Sequence, residues 1–291
     1  MDATTTFGAR LRWWRERRGL SQLALAHTAE VSQRHLSFLE VGRTAPSREM
    51  VLRLAAALDL PLRQQNVLLL AAGYSPQWRE GALGGPELAV VDRALDFMLA
   101  QQEPYPAFVV DRRWNLLRLN KGGQRLVGFL TDTPPRQADP AAPINLADAL
   151  MAPDALRPLI VNWREVALYF LRGVHADAAA DGSEEMAALL ERLLAYAGVP
   201  RKSEPAAIDE PQGPVLAIQF AKDPISLSLF TTLATLGTPQ DITAQEIRIE
   251  CFFPADAATA EVFKQWARGR GKGSGPLRID GVSSQKKRQG V

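Results

Sequence analysis

The stretch that most constrains the fold runs from residue 21 to residue 42 and reads SQLALAHTAEVSQRHLSFLEVG. Ser21 and Ser32 are residues that cap helix N-termini, and each precedes a run with apolar side chains at helical spacing. Gly42 suits the left-handed position that commonly ends a helix. The stretch therefore predicts two short helices joined by a tight turn, which is a helix-turn-helix arrangement.

The second predicted helix has one apolar and one polar face. Leu36 and Leu39 lie three residues apart on the face predicted to be buried, so the opposite face is polar. The major groove of DNA admits one helix, whose N-terminal side chains reach the base edges first, and glutamine can pair with adenine and arginine with guanine. We therefore expect DNA contacts from Ser21, Gln22, Ser32, Gln33, Arg34, Ser37, Arg43 and Thr44.

Further helices are predicted on both sides of this pair. Phe7, Leu11 and Trp14 recur at helical spacing and predict a first helix, while residues 47–58 and 61–73 predict a fourth and a fifth. The arginines expected on the outer face of the first helix, towards phosphates or water, are Arg12, Arg15, Arg17 and Arg18. An ordinary helical hairpin would explain residues 21–42 by themselves, and the flanking helices favour the DNA-binding interpretation.

With these residues in place, residues 7–72 resemble the XRE/Cro-type DNA-binding domain of phage repressors and many bacterial regulators. One departure is Glu30, where the family usually has glycine, and a left-handed glutamate costs about 1 kcal/mol. Glu40 is expected to pair with a nearby arginine, because an acid that faced DNA would be repelled. The residues that carry the resemblance are Leu20, Ser21, Gln22, Leu25, Ala26, Val31, Ser32, Leu36, Ser37, Leu39, Glu40, Gly42, Pro46, Leu54 and Ala55.

The charge of the chain is unevenly distributed along its 291 residues, although the net charge is only +2. Residues 1–80 carry +4, residues 81–263 carry −9 and residues 264–291 carry +7. A basic head and tail around an acidic body indicate contact with nucleic acid at the ends only. The Gly-rich basic tail, residues 267–291, is expected to be disordered.

Composition excludes several other classes of protein. The single cysteine, Cys251, excludes internal disulfides and a cysteine metal cluster. No apolar run approaches the roughly 18 residues of a membrane span, and arginines follow the N-terminus where a signal peptide would have its apolar core. The sequence thus predicts a cytoplasmic protein with no membrane partner.

The second half of the chain changes character. Residues 74–85 read as a linker, and Glu87–Gln101 predicts a connecting helix that either packs on its own domain or forms a dimer. Strands are predicted at 107–110, 114–119, 215–221, 225–236 and 242–253, and helices at 120–130, 145–151, 154–172 and 184–198. This order predicts an α+β chain: an all-α five-helix helix-turn-helix domain, then a PAS-like domain with a five-stranded antiparallel sheet and helices on one face.

Residues 104–256 also resemble a known family, the ligand-binding domain of MmyB-type transcription regulators. The segments that carry the resemblance are PAFVVDRRWNLLRLN at 106–120, Asn145-Leu146, Trp163, Leu171-Arg172 and CFFPAD at 251–256. The resemblance implies a lipid-like or otherwise small hydrophobic effector. We therefore expect domains at 1–73 for DNA binding and 104–266 for ligand binding, a linker and helix at 74–103, and a tail at 267–291.

Catalysis and a cofactor are not expected. Of the three histidines, only His175 lies outside the DNA-binding region, and the chain has no phosphate-binding glycine loop. A sheet with aromatic helices can instead hold an apolar molecule. The expected lining residues, each of which could equally be plain core, are Phe108, Trp163, Tyr169, Phe170, Phe220, Leu227, Leu229 and Phe252, with Asn120, Asn162, Tyr169 and Arg172 as polar anchors.

The sequence thus predicts a one-component regulator that binds double-stranded DNA as a homodimer and senses a fatty-acid-like molecule. The homodimer is expected because two half-sites need two recognition helices. Two other classes remain open at this point. An enzyme fused to a DNA-binding domain is disfavoured by the shortage of histidines, and an antitoxin-like protein would use its second domain to bind a protein partner.

Overall fold

A computed structural model describes residues 6–132, 144–200 and 214–269. Residues 7–71 form five helices, as predicted, around one apolar cluster that includes Leu11, Leu25, Leu36 and Leu54. Most of the basic tail, most of the predicted loop 131–143 and all of the predicted loop 201–213 lie outside the described residues. The five helices are α1 (Phe7–Arg17), α2 (Gln22–Thr28), α3 (Gln33–Glu40), α4 (Arg48–Ala57) and α5 (Leu62–Ala71).

The turn between α2 and α3 follows the predicted geometry. Ser32 Oγ accepts a hydrogen bond from the His35 amide (3.1 Å), which caps α3. Glu30 adopts a left-handed backbone with φ 54°, as its position in the turn predicts. The Val31 amide donates to the Ala26 carbonyl (2.9 Å) and closes the end of α2. The turn therefore keeps its form with glutamate where glycine would be unstrained.

The C-terminal part of the chain holds a five-stranded antiparallel sheet, which confirms the predicted fold class. The strand order is β2-β1-β5-β4-β3. The strands are β1 (Ala107–Val110), β2 (Leu116–Leu119), β3 (Ile218–Lys222), β4 (Ile225–Ala234) and β5 (Arg248–Pro254). The helices of this part are α6 (Ala89–Gln101), α7 (Lys121–Thr131), α8 (Leu146–Met151), α9 (Trp163–Asp181), α10 (Glu184–Ala195), α11 (Ile242–Glu246) and α12 (Ala257–Arg268).

Two element predictions are wrong in detail, and one helix was not predicted. Residues 242–246 form helix α11 and not the start of a strand, because Asp241 caps them by accepting from the Ala244 amide (3.2 Å). The helix predicted from residue 154 begins only at Trp163, after a short 3₁₀ turn at Arg157–Leu159. Helix α12 was not predicted, although Asp256 is a capping residue and Phe263 is its fully buried anchor.

Helices cover both faces of the sheet, which corrects the prediction of helices on one face. The inner face carries Phe108, Leu229 and Phe252 and packs in one large cluster with α9 residues such as Val174. The outer face packs Val109, Ile249 and other apolar residues against Leu95 and Leu99 of α6.

Among the described residues, no helix has both the length and the apolar character needed to cross a membrane.

Among the residues that the structure describes, the helical N-terminal region contacts the C-terminal part at two places. Arg17 donates to the carbonyls of Ala178 (2.7 Å) and Ala179 (2.8 Å), at the C-terminal end of α9. Gly182, which follows α9 with φ +64°, lies so close to Trp13 and Trp14 that a Cβ atom would fall 2.5 Å from the Trp14 ring. The second contact runs from α5 to α11 through Arg63 and Glu246. The end of α9 is therefore seated directly against α1.

Candidate DNA interface and effector site

Helix α3 presents the polar face predicted for DNA recognition. Ser32, Gln33 and Arg34 at its N-terminal end are exposed, and Ser37 is half-buried one turn further on. Leu36 is fully buried beneath them. The structure thus brings these four polar side chains onto one solvent-facing surface, while the opposite face anchors the helix.

Two arginines flank one aromatic ring at the edge of this surface. The guanidinium of Arg34 lies 5.4 Å from the centroid of the Phe38 ring, and that of Arg43 lies 5.7 Å from it. Thr44 is exposed beside Arg43. A cation held over an aromatic face keeps a more defined position than a free arginine does. Arg34 and Arg43 therefore form one positive edge along the recognition helix.

The predicted phosphate contacts at the start of α2 also have structural roles. Ser21 Oγ caps α2 by accepting from the Ala24 amide (3.1 Å). Gln22 Nε2 donates to Glu40 Oε2 (2.8 Å). Arg15 holds the same carboxylate through Nε (2.6 Å) and Nη2 (3.0 Å), and this hydrogen bonding with Glu40 raises the pKa of Arg15. Glu40 is thus the buried ion-pair partner that was predicted.

The arginines of α1 do not all face outwards, which corrects the prediction for that helix. Arg15 is buried against Glu40, and Arg17 binds the end of α9. Arg18 donates to the carbonyls of Leu58 (2.9 Å) and Asp59 (2.8 Å). Arg12 remains exposed and pairs with Glu16 of its own helix, which lowers the pKa of Glu16. Three of these four arginines therefore bind other groups of the protein and are not available for phosphate.

The apolar residues predicted to line the effector site lie together on the inner face of the sheet. Phe108, Phe220, Leu227, Leu229 and Phe252 are all buried in the same cluster. The rings of Phe108 and Phe252 meet edge to face with centroids 5.1 Å apart. Trp163 and Phe170 of α9 are partly buried and pack against this cluster.

The polar residues predicted as anchors lie elsewhere. Asn120 is buried, but it caps α7 through the Gly123 amide (2.7 Å) and also bonds the Ala107 amide (2.9 Å). Asn162 joins α9 to β3 by donating to the Ala217 carbonyl (2.8 Å) and accepting from the Gln219 amide (3.0 Å). Tyr169 and Arg172 are exposed and contact each other, with the guanidinium 5.3 Å from the ring centroid.

The surface of the described residues includes two open cavities. One, of about 320 Å³, is lined partly by Phe220 and Leu227 at the β3–β4 edge, next to the exposed Val161. The other, of about 390 Å³, lies at the junction of the two parts of the chain and is lined by Arg63, Glu246 and residues of the linker and the β1–β2 turn.

Sequence reasoning missed a polar group on the inner face. Glu250 lies two residues from Phe252 on β5 and therefore shares its face. Desolvation of its carboxyl raises the pKa of Glu250 to about 7, and a hydrogen bond from Thr231 opposes this shift. Arg248, two residues earlier, pairs with Asp177 of α9 (2.5 Å). The available signal was strand alternation. It places Arg248 and Glu250 on the same face as Phe252, and Ile249, Cys251 and Phe253 on the other face.

Comparison with protein families matches both parts of the chain. Residues 11–65 match a helix-turn-helix family, and residues 91–265 match the MmyB-like transcription regulator ligand binding domain. A search of curated proteins found no match. The second match covers more than half of the chain, and the two families have regulatory roles, in DNA binding and in ligand binding. This protein is therefore a transcription regulator of the MmyB-like family, with an N-terminal helix-turn-helix and a C-terminal ligand-sensing domain.

Proposed function

We propose that this protein is a one-component bacterial regulator that binds a pseudo-palindromic operator as a homodimer and responds to a small, fatty-acid-like hydrophobic molecule. The observation that carries this proposal is the direct seating of α1 on the end of α9. Because α9 packs in the apolar cluster of the sensor and its end contacts α1, a molecule that displaced α9 would also displace the helix-turn-helix. We propose domain limits of 1–73, 74–103, 104–266 and 267–291, and a cytoplasmic location.

The DNA contacts are assigned by exposure and position. Gln33 and Arg34 at the start of α3 reach base edges, and Ser37 extends the contact by one turn. Arg43 and Thr44 contact phosphate beside the recognition helix. Ser21, Gln22 and Ser32 contact phosphate through helix N-termini and side-chain groups that their structural bonds leave available.

The dimer is supported by an exposed stripe on α6. Val90 and Phe97 are 70% and 63% exposed, and because they lie seven residues apart they share one side of the helix. Arg93 and Ala100 lie on the same outer side and are also exposed. Two copies of this stripe packed antiparallel would cover both phenylalanines. An isologous contact of this kind gives the two-fold symmetry that a pseudo-palindromic operator needs.

The effector is assigned to the inner face of the sheet. Its apolar chain would contact Phe108, Leu229 and Phe252, with entry past Phe220 and Leu227 at the smaller cavity. Trp163 and Phe170 of α9 would contact it from the opposite side. An acyl chain needs few polar contacts, because each buried methylene contributes about 0.8 kcal/mol.

One experiment tests the whole proposal. The purified protein is extracted with organic solvent, the extract is examined by mass spectrometry, and the delipidated protein is titrated with fatty acids of increasing chain length while operator affinity is measured. Affinity for the acyl chain should rise with length, then stop or fall when the site is full, and operator affinity should change on binding. A stoichiometric second polypeptide and no acyl-chain binding would favour the antitoxin-like alternative instead.

A further inference from the structure

The inner face of the sheet is polar at one end. Glu250 lies opposite Phe108 of β1 and Leu233 of β4 in the strand register, with Thr231 hydrogen-bonded to its carboxyl. Glu250 retains partial solvent exposure, so this carboxyl sits at the edge of the apolar cluster and not at its centre. A carboxyl group placed against Phe108 is costly unless it has a further polar partner.

Trp114 supplies a second polar group, beside Arg248. It is only 6% exposed, and its indole Nε1–H is buried with no hydrogen-bond acceptor among the described residues. Its ring lies 4.7 Å from that of Phe170 and 5.9 Å from the guanidinium carbon of Arg248. Buried N–H groups are nearly always paired, so an unpaired donor in this position indicates an acceptor that a bound molecule would supply.

The charges at this end do not favour an anion. Arg248 is the neighbouring cation, but its charge is neutralised by the ion pair with Asp177. Glu250 adds a second carboxyl group nearby. Arg172, which could have held a carboxylate, is exposed on the far side of α9 against Tyr169. A hydroxyl group fits better, because its oxygen can accept from the Trp114 N–H and it adds no negative charge near Glu250.

We propose that the effector carries a neutral, hydroxyl-bearing head group, which Trp114 holds at the Arg248–Asp177 end of the inner face, near Glu250. This inference rests on the proposed function, in which the apolar chain lies along that face. Asp177 immediately precedes Ala178, whose carbonyl receives Arg17 of α1. The head group is therefore recognised at the end of α9 that contacts the DNA-binding domain.

The test compares ligands that share one chain and differ only in the head. Delipidated full-length protein is titrated by calorimetry at pH 8 with a long-chain fatty acid, the primary alcohol and the monoacylglycerol of the same chain length. The alcohol or the monoacylglycerol should bind at least about tenfold more tightly than the acid, a difference of about 1.4 kcal/mol. In protein labelled with ¹⁵N at the tryptophans, the Trp114 indole signal should shift with these ligands.

Variants make the assignment specific. Glu250→Gln should abolish the discrimination by strengthening acid binding, and Trp114→Phe should weaken the neutral ligands about tenfold while leaving the acid unchanged. Arg172→Ala is the matched control and should change nothing. A fatty acid that binds most tightly, with no effect of Glu250→Gln and no Trp114 shift, would overturn the head-group inference and leave the proposed function standing. No binding by any of the three ligands would overturn both.

Discussion

Arg63 and Glu246 are 183 residues apart in the chain and form a two-point ion pair between α5 and α11, with Nε–Oε1 at 2.7 Å and Nη2–Oε2 at 3.0 Å. Hydrogen bonds that Arg63 donates to Glu246 and then to Glu80 raise the pKa of Arg63, and the contact with Arg63 lowers the pKa of Glu80. Arg112 reaches Glu246 at 3.4 Å and also pairs with Asp181 at the end of α9. The ion pair thus links the DNA-binding domain to the sensor.

This link predicts that Arg63→Ala uncouples the two domains. In the wild type the effector changes operator affinity by some factor, and in the variant this factor should be about five- to tenfold smaller. The reason is that coupling between sites is typically worth about 1–3 kcal/mol. Effector affinity itself should change little. The measurement is operator binding by fluorescence anisotropy with and without a saturating ligand.

The matched control for this prediction is Arg53→Ala. Arg53 is also an arginine in an ion pair, but its partner is Glu49 within α4, and exposed pairs of this kind contribute little. An unchanged ligand response in Arg63→Ala, equal to that of Arg53→Ala, would show that the ion pair carries no coupling.

Base reading is tested by Arg34→Ala. Discrimination at one base pair of the operator should fall by about 1–3 kcal/mol, because a bidentate contact with guanine is lost. Arg43→Ala serves as the comparison, since it lies over the same Phe38 ring and is assigned to phosphate. Arg43→Ala should weaken binding to all DNA sequences alike and reduce the slope of log affinity against log salt concentration by about one. Competition with operators altered at single positions separates the two, and an unchanged preference in Arg34→Ala would remove it from the base contacts.

Dimer formation is tested by Phe97→Glu. A charge at this exposed position of α6 should convert the dimer into a monomer at micromolar concentration and weaken operator binding, without affecting the fold. Val215→Glu is the control, because Val215 is also exposed (52%) but lies ahead of β3, away from the α6 stripe. Light scattering gives the mass. A wild-type protein that is monomeric with and without operator would contradict the dimer altogether.

The helix-turn-helix could be predicted because its determinants are local. A serine cap and leucines at helical spacing, such as Ser32 with Leu36 and Leu39, specify where α3 begins and which face it buries. The five-stranded sheet also follows from alternation along strands such as β4. Residues 242–246 misled the prediction because Ile242 and Ile247 continue an apolar strand pattern, and only Asp241 marks a helix start.

The polar residues of the sensor could not be predicted in the same way. Asn120 follows an apolar strand, and the sequence does not say whether its amide caps a helix or meets a ligand. Arg17 finds its partners about 160 residues away, on carbonyl groups that carry no sequence signal. Trp114 was expected in a strand, whereas it takes a left-handed turn conformation with φ 66° that directs its ring into the core.

The strained turn in the helix-turn-helix gives a stability prediction. Glu30→Gly should stabilise the protein by about 1 kcal/mol, because glycine takes the left-handed conformation without the steric cost of a Cβ atom. Chemical denaturation measures the change. Glu30→Ala keeps the strain and removes the charge, so it should not share the gain. An equal gain in both variants would assign the effect to charge.

Glu250 gives the last prediction, which concerns pH. Its pKa is raised from 4.5 to about 7 in the folded protein by desolvation. Below pH 4.5 the folded and unfolded states both hold the proton, so the group costs nothing. Between pH 4.5 and 7 the unfolded state releases the proton first, and the free energy of unfolding falls by up to about 3 kcal/mol. Above pH 7 the loss stays constant.

Glu250→Gln should therefore gain stability relative to the wild type as pH rises from 5 to 8, by about 2 kcal/mol, because glutamine cannot ionise. Guanidinium unfolding at the two pH values gives the difference. The control is Glu191→Gln, which replaces an exposed acid of α10 and should run parallel to the wild type. The carboxyl of Glu250 would be solvated, and its placement at the head-group end of the inner face mistaken, if both variants followed the same pH dependence.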